Sequence, residues 1–188
     1  MHEEELTRAY RETALLVGGG AALVDLVTAV GQTMALDADR MRRLEFGGLL
    51  HDVGKVGIPR EILDKPGALE PHERALIEHH PIAGQAMLES LGGVLGEVGR
   101  IVRSSHERYD GLGYPDALAG HAIPVESRII SCCDAFTAMT TDRPYRAALP
   151  VHEALHRLRK NSGTQFDPGV VDALLVVMAG EEPGVATG

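Results

Sequence analysis

The sequence predicts an all-α domain of about seven helices, with a glycine- and proline-bearing loop at its functional site. Apolar residues recur at the three-to-four-residue spacing of helices, and no stretch keeps the strict alternation that is typical of strands. Glycine and proline divide the apolar stretches into separate segments. With 188 residues, of which 44% are hydrophobic, the chain is long enough to bury one core without disulfides or structural metals.

The chain is expected to consist of three parts. Residues 1–20 form an N-terminal extension or linker helix, residues 21–180 the main domain, and residues 181–188 a flexible tail. Residues 3–16 are charged and compatible with a helix, and Gly18-Gly19-Gly20 then interrupts it, since each glycine costs about 1 kcal/mol relative to alanine. We expect residues 3–16 to pair with the same helix of a second chain, which gives a homodimer.

The helices of the main domain follow from their start and stop signals. Asp37 is a suitable N-cap, and Pro71 suits the first position of a helix. Gly54 and Gly57 close the second helix, and residues 107–124 carry the glycines and prolines of a loop. Helices are expected at about 21–35, 37–52, 71–79, 94–106, 125–140, 150–160 and 168–179, and Pro81 either breaks the third of these or starts a further helix that ends at Gly92-Gly93.

Charge and cysteine content exclude several classes of protein. The 18 basic and 27 acidic residues give a net charge of −9, which argues against a nucleic-acid-binding surface. The only cysteines, Cys132 and Cys133, are adjacent and form no CxxC motif, so we expect a reducing compartment. The apolar stretch 23–30 is too short to span a membrane, and no signal peptide is found. We therefore expect a soluble, cytoplasmic protein without membrane partners.

Histidine and carboxylate side chains recur in four stretches of the chain. These are Leu49–Lys55, His79–Pro81, Ser105–Gly111 and Cys133-Asp134. Neutral imidazole and carboxylate oxygen bind iron, manganese, zinc and similar divalent ions, and two such ions often clamp a phosphodiester. A lone His-Asp pair is more often a buried histidine beside a capping aspartate. The four stretches together favour a metal-dependent phosphohydrolase.

In their order and spacing these stretches resemble the HD-GYP domain, a branch of the HD phosphohydrolase superfamily. The resemblance covers roughly residues 36–178. It implies a metal-dependent phosphodiesterase that opens the bacterial second messenger cyclic di-GMP, giving the linear dinucleotide and sometimes GMP. The matching stretches are 51–59, 80–81, 106–115, 134, 142–146 and 163–168.

The resemblance also implies a role for individual residues. Asp52 and Lys55 would be catalytic, with Lys55 touching the scissile phosphate. The implied cofactor is one or two divalent ions, iron or manganese, held weakly or absent. The implied metal ligands are His51, Asp52, His80, His106 and Asp134. The implied substrate-binding residues are Lys55, Gly113, Tyr114, Arg143 and Arg146.

Two positions depart from the family pattern. Gly19 stands where a histidine of the first helix is expected, and Ser105 stands where the histidine before His106 is expected. A slow phosphodiesterase is therefore one hypothesis. A second is a degenerate module that binds cyclic di-GMP, or a signalling partner such as a diguanylate cyclase, without hydrolysis. A third is a one-metal HD hydrolase acting on another nucleotide.

Overall fold

The computed structural model describes residues 20–142 and 147–181. All regular secondary structure in these two ranges is helical, with isolated β-bridges but no strand, and this confirms the predicted all-α class. The α-helices are α1 (Gly20–Thr33), α2 (Ala38–Leu50), α3 (Arg60–Leu63), α4 (Pro71–Glu78), α5 (His80–Glu89), α6 (Gly93–Arg103), α7 (Val125–Thr140), α8 (Val151–Lys160) and α9 (Pro168–Glu181). Two 3-10 helices, Val53–Gly57 and Gly120–Ala122, interrupt the loops.

The helix starts follow the capping residues that the sequence contains. The side chain of Asp37 accepts a hydrogen bond of 2.9 Å from the backbone N–H of Arg40, so the predicted N-cap of α2 is confirmed. Pro71 occupies the first turn of α4, as predicted. Glu70 and Glu73 form a reciprocal capping box around the same turn, which satisfies backbone donors that would otherwise lack a partner.

Two helices end before the residues that were expected to close them. Helix α2 ends at Leu50 with His51 as its C-cap, and Asp52 leaves the helical region with φ −102° and ψ 6°. Helix α6 ends at Arg103, so His106 follows the helix rather than ending it. His51 and Asp52 are therefore not successive positions of one helix. Both candidate metal-binding segments lie where the chain turns sharply.

The apolar core has two parts that share α2 and α6. The larger cluster joins α1, α2, α6, α7, α8 and α9 around fully buried residues such as Leu44, Ile130 and Leu174. The smaller cluster joins α2, α5 and α6, with Phe46 and Val102 among its members. Because both clusters fix α2, the orientation of its C-terminal residues is set from two sides. No helix in the described part of the chain has both the length and the apolar character needed to cross a membrane.

Candidate functional site

A close backbone contact at Gly54 brings the first two candidate ligands together. The 3-10 helix Val53–Gly57 packs against the start of α5, and a Cβ atom at Gly54 would overlap the carbonyl oxygen of His80. The same Cβ atom would lie 2.7 Å from the backbone nitrogen of Gly84. Only glycine permits this approach. Gly54 thus sets the separation between Asp52, at the start of the 3-10 helix, and His80, at the start of α5.

The local backbone fixes which ring nitrogen of two histidines is available. Nδ1 of His51 lies 2.8 Å from the carbonyl oxygen of Gly48, and Nδ1 of His80 lies 2.6 Å from that of Ile77. A carbonyl oxygen only accepts hydrogen bonds, so in both rings Nδ1 carries the hydrogen and donates it. In the neutral ring, each Nε2 atom therefore presents a lone pair toward the site, as a metal ligand requires.

Three donor atoms converge between the 3-10 helix, α5 and the segment after α6. Asp52 Oδ1, His80 Nε2 and His106 Nε2 lie within 4.8 Å of one another. His80 Nε2 is 3.1 Å from His106 Nε2 and 3.3 Å from Asp52 Oδ1. Asp52 Oδ1 is buried and has no hydrogen-bond partner among the described residues, an arrangement that is costly unless a cation approaches. This set of two imidazoles and one carboxylate fits a divalent metal ion.

The charge state of the cluster suits the same conclusion. Burial favours the protonated form of Asp52, but the neighbouring imidazoles of His106, His80 and His51 and the ammonium group of Lys55 outweigh it and hold the pKa of Asp52 well below its usual range. Burial lowers the pKa of His106, and this outweighs the opposing effect of Asp52. At neutral pH the cluster therefore combines a carboxylate with a neutral imidazole at position 106.

The second oxygen of Asp52 has different neighbours. Lys55 Nζ donates a hydrogen bond of 2.7 Å to Asp52 Oδ2, and His51 Nε2 lies 3.5 Å from the same oxygen. Asp134, on α7, places Oδ1 3.8 Å from His51 Nε2. The structure thus brings all five sequence-predicted metal ligands into one site. It also places the predicted catalytic lysine on the carboxylate itself.

A buried glutamate holds the Gly-Tyr-Pro loop against this site. Glu107 is 3% exposed, and its carboxylate accepts hydrogen bonds from the backbone N–H groups of Asp116 (2.7 Å) and Leu118 (3.1 Å). Burial raises the pKa of Glu107, and the backbone N–H groups partly offset this effect. A Cβ atom at Gly113 would overlap the backbone of Glu107 and Arg108. Gly113 therefore lets the loop fold closely over its own beginning.

The loop places the ring of Tyr114 on His106. The two rings are stacked, with centroids 5.3 Å apart and planes 9° apart. Burial, together with the nearby carboxylates of Glu78 and Asp52, raises the pKa of Tyr114 to about 12, so its hydroxyl is neutral at physiological pH. A bidentate ion pair between Arg103 and Asp116, with N···O distances of 2.6 and 2.7 Å, ties the far end of the loop to α6.

The remaining predicted positions have different outcomes. Ser105 is 2% exposed, and its hydroxyl donates 2.8 Å to the carbonyl oxygen of Val102, so it is not directed at the donor cluster. Arg143 and Arg146 lie outside the described residues, as do Gly19 and the expected linker helix of residues 3–16. Glu107 was not predicted from the sequence, where only its position beside His106 distinguished it from a solvated acidic residue.

Comparison with known proteins identifies the family. The family profile described as HD domain matches residues 4–170. The chain belongs to the HD domain family. This confirms the resemblance to HD phosphohydrolases that the sequence indicated. The resemblance to HD domains rests on a His-Asp pair, and in this chain that pair is His51-Asp52. It lies at the junction between α2 and the 3-10 helix Val53–Gly57.

Curated relatives of this HD domain are signalling phosphodiesterases. A cyclic di-GMP phosphodiesterase response regulator of Xanthomonas campestris is 38% identical over 177 residues, which are 92% of this chain and 47% of that protein. A cyclic di-GMP phosphodiesterase of Thermotoga maritima is 35% identical, covering 78% of this chain and 40% of that protein. A 3′3′-cGAMP-specific phosphodiesterase of Vibrio cholerae is 38% identical, covering 82% and 33%. The chain spans less than half the length of these relatives.

Solved structures share the fold of this HD domain. A cyclic GMP-AMP specific phosphodiesterase of Vibrio cholerae superimposes with a TM-score of 0.67 at 20% identity, over 85% of this chain and 43% of that chain. A protein of Bdellovibrio bacteriovorus described as an HDG"Y"P protein also gives a TM-score of 0.67, at 22% identity, over 85% and 51%. At these identities the likeness shows a common all-helical fold.

Proposed function

We propose that this HD domain is a metal-dependent phosphodiesterase that acts on cyclic di-GMP. The convergence of Asp52 Oδ1, His80 Nε2 and His106 Nε2 around an otherwise unpartnered buried oxygen carries the proposal. The names of the curated relatives support the substrate class, since they are phosphodiesterases of cyclic di-GMP or of 3′3′-cGAMP. The proposed substrate is a bacterial second messenger, so we expect the chain to work in the cytoplasm.

Asp52, His80 and His106 would hold the ion, with His51 and Asp134 beside them. When bound, a divalent ion polarises phosphoryl oxygens and lowers the pKa of water, which supplies a nucleophile at neutral pH. Iron or manganese suits mixed imidazole and carboxylate ligands, and we propose one of these. Asp52 stays anionic at any pH at which the protein works, because its neighbours hold its pKa well below the usual range.

Other residues of the site would bind and orient the dinucleotide. Lys55 carries the ammonium closest to the donor cluster among the described residues, and it would offset negative charge on the phosphate. Tyr114 offers a ring face and a neutral hydroxyl beside His106. Arg143 and Arg146, which lie outside the described residues, offer forked donors for phosphate or guanine edges. Gly113 keeps the loop that carries Tyr114 close to the site.

The test is hydrolysis of cyclic di-GMP by metal-free protein reloaded with Mn²⁺ or Fe²⁺ under anaerobic conditions, with the products separated by liquid chromatography. We expect formation of the linear dinucleotide, and 3′3′-cGAMP serves as the comparison substrate. His106→Ala should lower the rate by about 100-fold or more, since it removes a direct ligand. The matched control is His152→Ala, an exposed histidine on α8, which should leave the rate unchanged.

The alternative hypothesis of a degenerate module gives a different result in the same samples. It predicts that cyclic di-GMP binds, by calorimetry, but that no linear product accumulates with either metal. The inward-facing donor cluster supports hydrolysis, whereas the Ser105 hydroxyl, bonded to Val102, supports a slow rate. Binding without turnover at millimolar Mn²⁺ would overturn the proposed activity.

The proposed assembly concerns the two ends of the chain. We propose that residues 1–20 act as an extension or linker helix, that residues 3–16 within it pair two chains into a homodimer, and that residues 181–188 form a tail. A diguanylate cyclase remains the proposed signalling partner. Light scattering of the full chain tests the dimer, and a monomer at high protein concentration would contradict it.

A further inference from the structure

The two carboxylate oxygens of Asp52 are in opposite situations. Oδ1 is buried, faces the Nε2 atoms of His80 (3.3 Å) and His106 (3.8 Å), and has no hydrogen-bond partner within the described ranges. Oδ2 accepts a hydrogen bond of 2.7 Å from Lys55 Nζ. A carboxylate that bridges two metal ions through both of its oxygens gives one oxygen to each ion, as in two-metal sites. Here one oxygen is available and the other is neutralised by an ammonium group.

The Oδ2 side nevertheless has further donors. His51 Nε2 lies 3.5 Å from Asp52 Oδ2 and 3.8 Å from Asp134 Oδ1. The hydrogen bond between His51 Nδ1 and the Gly48 carbonyl oxygen keeps Nε2 directed toward these oxygens. A second ion at these atoms would need the oxygen that Lys55 holds. It would also meet the ammonium charge at short range, where like charges repel strongly. Lys55 therefore competes with a second ion for the same position.

The lysine is able to leave this position. Its side chain is 32% exposed and has a flexible four-carbon stem, so its ammonium group can exchange one anionic partner for another. A phosphodiester oxygen is such a partner. An anionic dinucleotide entering the site would draw Lys55 from Asp52 and expose Oδ2.

We propose that Lys55 sets the number of metal ions in this site. With Lys55 on Asp52, the site holds one divalent ion, at Asp52 Oδ1, His80 and His106. When a phosphodiester takes the ammonium group, a second ion binds at Asp52 Oδ2, His51 and Asp134. Nucleotide and second ion then strengthen each other's binding reciprocally. The inference rests on the proposed function for the presence of the metal and for the class of nucleotide.

The first experiment counts Mn²⁺ by calorimetry on metal-free full-length chain. We expect about one ion per chain in the unmodified protein and about two in Lys55→Met, with a coupled Mn²⁺ pair in the electron paramagnetic resonance spectrum. Lys55→Met/Asp134→Asn should return the count to about one. Lys55→Arg keeps the positive charge and should also bind about one.

The matched control is Lys65→Met. Lys65 makes an ion pair of equal quality with Glu73, at 2.6 Å, and is 31% exposed, but it lies beside α4 and not at the donor cluster. Its replacement should leave the count at about one. Two ions of similar affinity in the unmodified protein, or one ion in a folded Lys55→Met variant, would overturn the inference. Thermal unfolding of each variant establishes that it is folded.

The second experiment adds a phosphorothioate analogue of cyclic di-GMP that resists hydrolysis. In the unmodified protein the Mn²⁺ count should rise from about one to about two, whereas Lys55→Met should stay at about two with or without the analogue. An unchanged count in the unmodified protein, with the analogue bound, would contradict the coupling. Neither readout requires turnover, so a protein that shows the change but hydrolyses nothing contradicts only the proposed function.

Discussion

The two sides of Asp52 differ in how the chain balances a negative charge. On the Oδ1 side, the imidazoles of His80 and His106 face an oxygen that accepts no hydrogen bond from the residues described. On the Oδ2 side, the ammonium group of Lys55 already supplies the balancing charge. Both sides carry ligands of the same chemical types. The number of ligands therefore does not determine the number of ions, because a mobile cation of the protein can occupy one position.

The test with the largest expected effect compares one histidine from each side of Asp52. His106→Ala should weaken Mn²⁺ binding by about 100-fold or more, since it removes a ligand of the ion proposed on the Oδ1 side. His51→Ala should weaken it by less than about tenfold, because His51 faces the oxygen that Lys55 holds. Titration of metal-free protein with Mn²⁺ measures both, with His152→Ala as the control. Equal losses in the two variants would mean that the two sides are equivalent.

A second test asks what holds the nucleotide while Lys55 changes partners. Arg143→Ala and Arg146→Ala should each weaken cyclic di-GMP binding by about 1–3 kcal/mol, as expected for charge-assisted hydrogen bonds to an anion. Calorimetry measures the affinity, and Arg157→Ala, an exposed arginine on α8, is the matched control. If both variants bind as tightly as the parent, the nucleotide does not reach these residues, and Lys55 and the Tyr114 loop have to hold it without them.

A third test concerns the loop on the Oδ1 side. Glu107→Gln should lower the free energy of unfolding by about 1–2 kcal/mol, because the amide has one accepting oxygen and an NH2 group that cannot accept, so the N–H group of Asp116 or Leu118 loses its acceptor. It should also raise KM more than it lowers kcat, since the loop presents Tyr114 to the substrate. Urea unfolding and steady-state kinetics measure the two effects. Glu61→Gln, at an exposed position in α3, is the control and should change neither.

The smallest expected effect separates the ring of Tyr114 from its hydroxyl. Tyr114→Ala removes the stack on His106 and should cost about 0.5–1.5 kcal/mol in cyclic di-GMP binding or in stability. Tyr114→Phe keeps the stack and should retain the Mn²⁺ affinity of the parent. Calorimetry with Mn²⁺ and then with nucleotide distinguishes the two variants. A loss of metal affinity in Tyr114→Phe would show that the hydroxyl, rather than the ring, supports the Oδ1 side.

The sequence predicted the helical class and the five residues that come together at the candidate site, because both depend on local signals. Capping residues such as Asp37 act within a few positions, and the His-Asp pair has a recognisable neighbourhood. The role of Glu107 could not be predicted, because its burial depends on how the following loop folds back. The ion pair between Lys55 and Asp52 was missed for another reason. The spacing of three residues allowed it, but the short 3-10 helix that creates it was not expected.

The hydrogen bonds from His51 to Gly48 and from His80 to Ile77 have a consequence for the speed of metal loading. Each hydrogen bond spans three residues and holds the ring of His51 on the last turn of α2 and the ring of His80 on the last turn of α4, so each ring orientation is established as soon as that turn forms. An arriving ion needs neither a ring flip nor a proton shift between the two nitrogens of these side chains. Loading of the Oδ1 position should therefore be limited by the dehydration of the ion, and unfolding of the last turn of α4, which orients His80, should release it.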